Sequence, residues 1–130
     1  MVLFICVGNT CRSPMAEAMA RSLSGGRLEA LSAGISPTGR IASGTRRALT
    51  TLGYSHRELR SKGLGEVPLE EVDLVVSLIG REGLRWLPLN LAAGSRVWSI
   101  SDPFGEDDET YLAIARMIEG RVRELVDELV

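Results

Sequence analysis

The chain opens on an unbroken apolar run, Val2-Leu3-Phe4-Ile5-Cys6-Val7, with no polar residue to mark a wet face. Such a run predicts a strand covered on both sides. A helix is predicted at once after it, with Ser13 as N-cap, Pro14 in the first helical position and Met15 to Leu23 continuing to a stop at Gly25-Gly26. Leu28 to Ser32 reads as a second strand closed by Ala33-Gly34, and a second helix is predicted near Ser43 to Leu52, ended by Gly53. One turn at Pro68 to Glu71 precedes the apolar strand Asp73 to Leu78. A short helix over Arg81 to Trp86 and a strand over Val97 to Ile100 follow. From about Asp107 to Val130, Tyr111, Ile114, Ile118, Val122, Leu125 and Leu129 recur at spacings of three and four, the period of a long amphipathic helix.

Strands alternating with helices predict an α/β protein: a single three-layer domain over residues 1–130, with a central four-stranded parallel sheet and helices on both faces. Ligands of such sheets sit beyond the carboxyl ends of the strands. Two segments fall there, Cys6 to Ser13 and Ser101 to Gly105, and are expected to share one site.

Composition narrows the function classes. Hydrophobic residues make up 45% and charged residues 25% of the 130, which excludes a disordered or fibrous chain. A net charge of −2 argues against a nucleic-acid partner. No apolar run approaches the roughly 20 residues of a membrane span, and the N-terminal run has neither a basic leader nor a small-residue cleavage site. The expectation is a cytoplasmic protein with no membrane partner. Two cysteines cannot build a disulfide scaffold, and in an intracellular chain they point to catalysis or redox chemistry. With both on one loop and the lone His56 far off, four zinc ligands are not to be had, so no metal and no cofactor are expected. The Gly-x4-Gly-Lys-Ser/Thr nucleotide loop is absent.

The segment Cys6-Val7-Gly8-Asn9-Thr10-Cys11-Arg12-Ser13 joins the first strand to the first helix. Gly8 permits a positive φ and Asn9 tolerates one. A loop of this length can curl until several backbone N–H groups point inward, and such a nest at a helix N-terminus binds phosphate or another tetrahedral oxyanion. Arg12 can fork two hydrogen bonds onto that anion. Cys6 then lies in a field that favours the thiolate, the attacking form. Ser13 can donate its hydroxyl to the sulfur while capping the helix. The alternative is a tight turn around a buried cysteine.

Cysteine, five residues, arginine and serine, placed a few residues from the N-terminus, resemble the signature of the low-molecular-weight protein-tyrosine phosphatase family. Gly8, Asn9, Cys11 and Pro14 match it too, Asp102-Pro103-Phe104 resembles the family's second motif, and Ser32-Ala33-Gly34 and His56 are also similar. The resemblance implies phosphorylated protein substrates and a phosphocysteine on Cys6, with Arg12 and the amides of Val7 to Ser13 holding the phosphoryl oxygens. It implies that Asp102 protonates the leaving group and then activates water. It implies a reversible Cys6–Cys11 disulfide, whereas the residues alone leave Cys11 equally well as a small apolar part of the loop wall. It implies that His56 supports the loop through Asn9, with Ser32 in the same network.

Only Phe104 is aromatic in the acid loop, Gly105 follows it, and Ile35-Ser36-Pro37-Thr38 adds no other ring. A phenol slot is therefore under-walled. Thr10 stands where tyrosine-directed members carry an aliphatic residue, and it resembles the bacterial protein-arginine phosphatase subgroup. Thr10 and Phe104 are thus expected to set specificity, leaning toward phosphoarginine, with phosphotyrosine as the alternative. Two other classes compete. An arsenate reductase of the thiol-cascade type needs cysteines downstream, and none follows Cys11; a version using an external thiol stays open. A phosphoprotein-binding module has no use for Cys6 and Asp102 together.

Overall fold

The first strand in chain order is one of the two central ones in the sheet. In a computed structural model that describes residues 1–130, β1 (Val2–Cys6) is buried at every position. It lies between β2 (Ala30–Gly34) and β3 (Leu74–Ser77), and β4 (Arg96–Val97) completes a four-stranded sheet of order β2-β1-β3-β4. All pairings are parallel, with Val2 opposite both Ala30 and Leu74. The period of two along β1 sends Phe4 to one face and Leu3 and Ile5 to the other.

The Phe4 face is covered by α1 (Arg12–Leu23) and α4 (Asp108–Leu129), with α2 (Ser43–Leu52) packed against α4. Met15, Met19, Ile114, Ile118 and Val122 fill it, and the Phe4 and Trp98 rings meet at 5.9 Å between centroids. The Leu3 and Ile5 face has a thinner cover. Val67, Val72, Leu87 and Leu91 reach it from irregular chain, 3-10 turns and the short α3 (Leu89–Ala93). The expected three-layer α/β architecture is thus present, with one layer made mostly of turns. No helix is long and apolar enough to cross a membrane.

Three boundaries differ from the sequence reading. β2 runs later than Leu28–Ser32, because its register sets Gly34 opposite Cys6. β4 is shorter and earlier than Val97–Ile100: Trp98 N–H still donates to the Ser77 carbonyl, but the chain then turns and Ser99 bridges Ile79 antiparallel. Ser13 is not the N-cap of α1. That position belongs to Cys11, which makes no side-chain cap bond, and Ser13 lies inside the helix with its hydroxyl turned to the preceding loop.

Candidate active site

Chain reversal puts β1 at the point where successive connections depart in opposite directions, to β2 on one side and β3 on the other. A crevice opens there at the strands' carboxyl ends, and the Cys6–Ser13 loop fills it. Asn9 makes the loop's sharpest bend, at φ 49°. The curvature is held from outside. The carbonyls of Cys6, Val7 and Gly8 accept from the amides of Ile35, Ser36 and Thr38, and the Thr10 carbonyl accepts from Ala42 N–H and the Thr45 hydroxyl. With these carbonyls turned outward, the amides of Val7, Gly8, Asn9, Thr10 and Cys11 donate to no other group of the protein. They are spare donors around one concavity, the arrangement that takes an anion.

Cys6, Arg12, Asp102 and Phe104 line the same pocket, of about 200 Å³, with Thr10, Cys11 and Thr38 in its wall. Cys6 Sγ lies 2.8 Å from Ser13 Oγ. The direction of that bond follows from its neighbours. Lys62 N–H donates to Asn9 Oδ1 at 2.9 Å, so the Asn9 amide nitrogen is the end that meets Ser13 Oγ, at 2.8 Å. Ser13 therefore accepts from Asn9, and its single proton is free for the sulfur. Arg12 is buried; its guanidinium donates to the Ile100 carbonyl at 2.9 Å and stands 3.5 Å from an Asp102 carboxylate oxygen. The other Asp102 oxygen accepts from Phe104 N–H at 3.0 Å, which fixes the carboxylate at the pocket mouth. Phe104 itself is 63% exposed and forms one open wall.

Thr10 is buried, and its hydroxyl is engaged with the Thr38 hydroxyl and the Arg40 carbonyl. It therefore clips the 36–40 segment onto the loop. Thr38 also donates to the Arg40 carbonyl, at 3.1 Å, and accepts from the Arg40 N–H at 3.3 Å, so both hydroxyls are engaged with the 38–40 segment. Cys11 is a free, buried thiol with its sulfur 3.5 Å from the Tyr111 hydroxyl. Burial pushes this thiol up, against the opposing hydrogen bonds from Tyr111 and Thr45.

His56 is not brought to Asn9. Its Nδ1 lies 3.0 Å from an Arg46 guanidinium nitrogen, a donor only, so Nδ1 accepts and Nε2–H donates to the Thr50 hydroxyl at 2.8 Å. The ring fastens the segment after α2 back onto that helix. The task expected of it falls to Lys62, whose backbone N–H holds Asn9. Ser32 is placed closer to expectation: its hydroxyl donates at 2.7 Å to Glu17, which faces Lys62. The sequence reading missed both Glu17 and Lys62 as site residues. A carboxylate set among Met15, Ala16, Ala18 and Met19, in a helix that needs an apolar face, was the available signal. Among the side chains, no group of three or more His, Cys, Asp or Glu residues is placed to hold a metal ion.

Known proteins resemble this chain over nearly its whole length. The model of a family described as low molecular weight phosphotyrosine protein phosphatase matches residues 1–130. A protein-arginine-phosphatase of Bacillus subtilis (strain 168) is 31% identical, over 98% of this chain and 95% of its own. The crystal structure of an arsenate reductase from Archaeoglobus fulgidus DSM 4304 superposes with a TM-score of 0.85 at 32% identity, over 98% of this chain and 99% of that one. A low molecular weight protein tyrosine phosphatase from T. tengcongensis gives a TM-score of 0.87 at 30% identity, over 98% of both chains.

Proposed function

Because the chain belongs to the low molecular weight phosphotyrosine protein phosphatase family, we propose that it hydrolyses phosphorylated protein side chains through a phosphocysteine on Cys6, with phosphoarginine as its preferred substrate. The observation that carries the reading is the ring of unused amides from Val7 to Cys11 around a sulfur that meets the Ser13 hydroxyl. Cys6 Sγ attacks phosphorus in line, the bond from phosphorus to the leaving nitrogen breaks, and Asp102 in its acid form gives that nitrogen a proton. The amides and Arg12 carry the charge of the three equatorial oxygens. Water then attacks the phosphocysteine, Asp102 takes its proton, and the sulfur departs as thiolate with the Ser13 O–H to receive it.

The preference for arginine is supported by the wall. Asp102 sets a carboxylate in the pocket wall, which suits a guanidinium with its five donors, and Thr10 puts a polar residue in the same wall. A phenol ring would find only Phe104 to stack on. A relative that is an arginine phosphatase adds to this. The test is steady-state kinetics on matched phosphoarginine and phosphotyrosine peptides, with Cys6→Ser as blank and Thr10→Ile as the specificity variant. A higher kcat/KM for phosphoarginine, reduced in Thr10→Ile, is expected. Preference for phosphotyrosine overturns the specificity and keeps the mechanism. Arsenate reduction with an added small thiol, in the absence of either phosphatase activity, overturns both.

The pair Cys6 and Cys11 extends the reading. Under peroxide the two are expected to close a disulfide that protects the nucleophile, giving up the Cys11 contact with Tyr111. Activity of peroxide-treated protein should return on adding dithiothreitol, and should not return in Cys11→Ser. Equal recovery in both removes the protective role.

A further inference from the structure

Beneath the loop lies a charged cluster for which the proposed chemistry has no direct use. Glu17 is 1% exposed and Lys62 is 7% exposed. The Lys62 ammonium stands 3.5 Å from Glu17 Oε1 and donates to the Arg60 carbonyl at 3.3 Å. Glu17 also accepts from Ser32 at 2.7 Å and pairs with Arg21 at 3.0 Å. Removing two charges from water costs several kcal/mol per ion, which their attraction repays only in good geometry. An apolar pair would fill the same space at no such cost, so stability alone does not account for it. Lys62 is also the chain's single lysine, set among many arginines, and it is buried here.

Its backbone shows what the cluster holds. Lys62 N–H donates to Asn9 Oδ1, and Lys62 C=O accepts from Gly34 N–H at 2.9 Å. One peptide segment thus ties the end of β2 to the bend of the anion loop. Asn9 in turn meets Ser13, and Ser13 meets Cys6. The ammonium, anchored to a carboxylate on α1, fixes this segment against the very helix that carries Ser13. We propose that Lys62, paired with Glu17, is a positioning residue for the Cys6 nucleophile, acting through Asn9 and Ser13. It touches neither substrate nor sulfur.

The kinetic arm of the test rests on the phosphatase reading, and the binding arm does not. Lys62→Met, Asn9→Gly and the double variant are compared with wild type for kcat on an aryl phosphate and for Kd of inorganic phosphate by calorimetry, well below each melting midpoint. Asn9→Gly removes the side chain and keeps the positive φ. Each single change is expected to lower kcat about tenfold or more, as small misplacements of reacting groups do, and to weaken phosphate binding. The double variant is expected to fall no lower than Asn9→Gly alone, because both changes cut one path. Wild-type kcat and Kd in folded Lys62→Met overturn the proposal, and so do losses that multiply in the double variant. If Lys62→Met does not fold, Glu17→Gln with Lys62→Met takes its place, since it leaves no buried charge unpaired. A wild type that binds phosphate and hydrolyses neither phosphopeptide nor aryl phosphate refutes the phosphatase reading, and the same comparison in Kd alone then decides for or against Lys62.

Discussion

Gly34 lies where two backbones pass without room for a side chain between them. A Cβ there would stand 2.5 Å from the Val7 carbonyl oxygen and 2.8 Å from the Asn9 amide nitrogen. Both are backbone of the anion loop, so neither can swing aside. Gly34→Ala is expected to lower kcat/KM about a hundredfold through displacement of the loop, and to cost about 1–3 kcal/mol in urea unfolding as overpacking. Unchanged kinetics in a folded variant would show that the loop yields without harm to the site. At the same scale, His56 illustrates what a residue type cannot say. The resemblance to the family implied that His56 supports the loop, yet the partner of a side chain is fixed by distances that only the fold sets. Here the fold gives His56 to Arg46 and Thr50.

Among the elements, α4 has the most explicit local signals. Asp107 caps it, accepting from Thr110 N–H at 2.9 Å, and that backbone bond holds the Asp107 carboxyl below its usual range. Asp108 and Glu109 add negative charge to the first turn, where the helix dipole favours it. A carboxyl lowered in the folded state stabilises above its ordinary range and ceases to do so as pH falls through its lowered value. Asp107→Ala is therefore expected to lower the urea midpoint at neutral pH, with the gap to wild type closing in strong acid. A gap independent of pH would assign the effect to helix propensity instead. The apolar stripe of α4 was legible from spacing as far as Leu125; Leu129, one turn further, is 41% exposed. β2 and β4 were less legible at their ends, since register against a neighbour decides where a strand stops. The short α3 carried too few residues to show a period.

For the molecule as a whole, alternation of strand and helix was enough to reach the sheet, its parallel sense and the end at which the site lies. The anion loop was legible from residue types at fixed spacing, whereas the acid role of Asp102 was implied only by the resemblance to the family; the fold does bring Asp102 to the same pocket. The Glu17–Lys62 cluster was not legible, because Lys62 lies in a polar stretch with Gly63 and Gly65 that reads as solvated surface. Its burial exists only once β2, α1 and the segment after α2 converge. The pocket is lined by residues distant in sequence, Cys6 and Arg12 on the one hand and Asp102 and Phe104 on the other, and a ligand taken up by the folded state alone raises stability by about 2.7 kcal/mol at a hundred times its Kd. The melting midpoint is expected to rise with inorganic phosphate in wild type and in Cys6→Ser, and to respond weakly in Arg12→Ala. A rise undiminished in Arg12→Ala would place the binding elsewhere.

The contact of Arg12 with Ile100 and Asp102 has a consequence for how the protein folds. Arg12 and the Ile100 carbonyl that holds it lie 88 residues apart in the chain, and β1 needs a strand on each flank. Until the segment around residues 100–102 docks, the folding chain carries a thiol and a run of amides without the carboxylate and the carbonyl that hold Arg12 beside them. The site is thus closed by a contact of long sequence separation, the kind that forms after local structure, so its completion belongs to the last stage of folding.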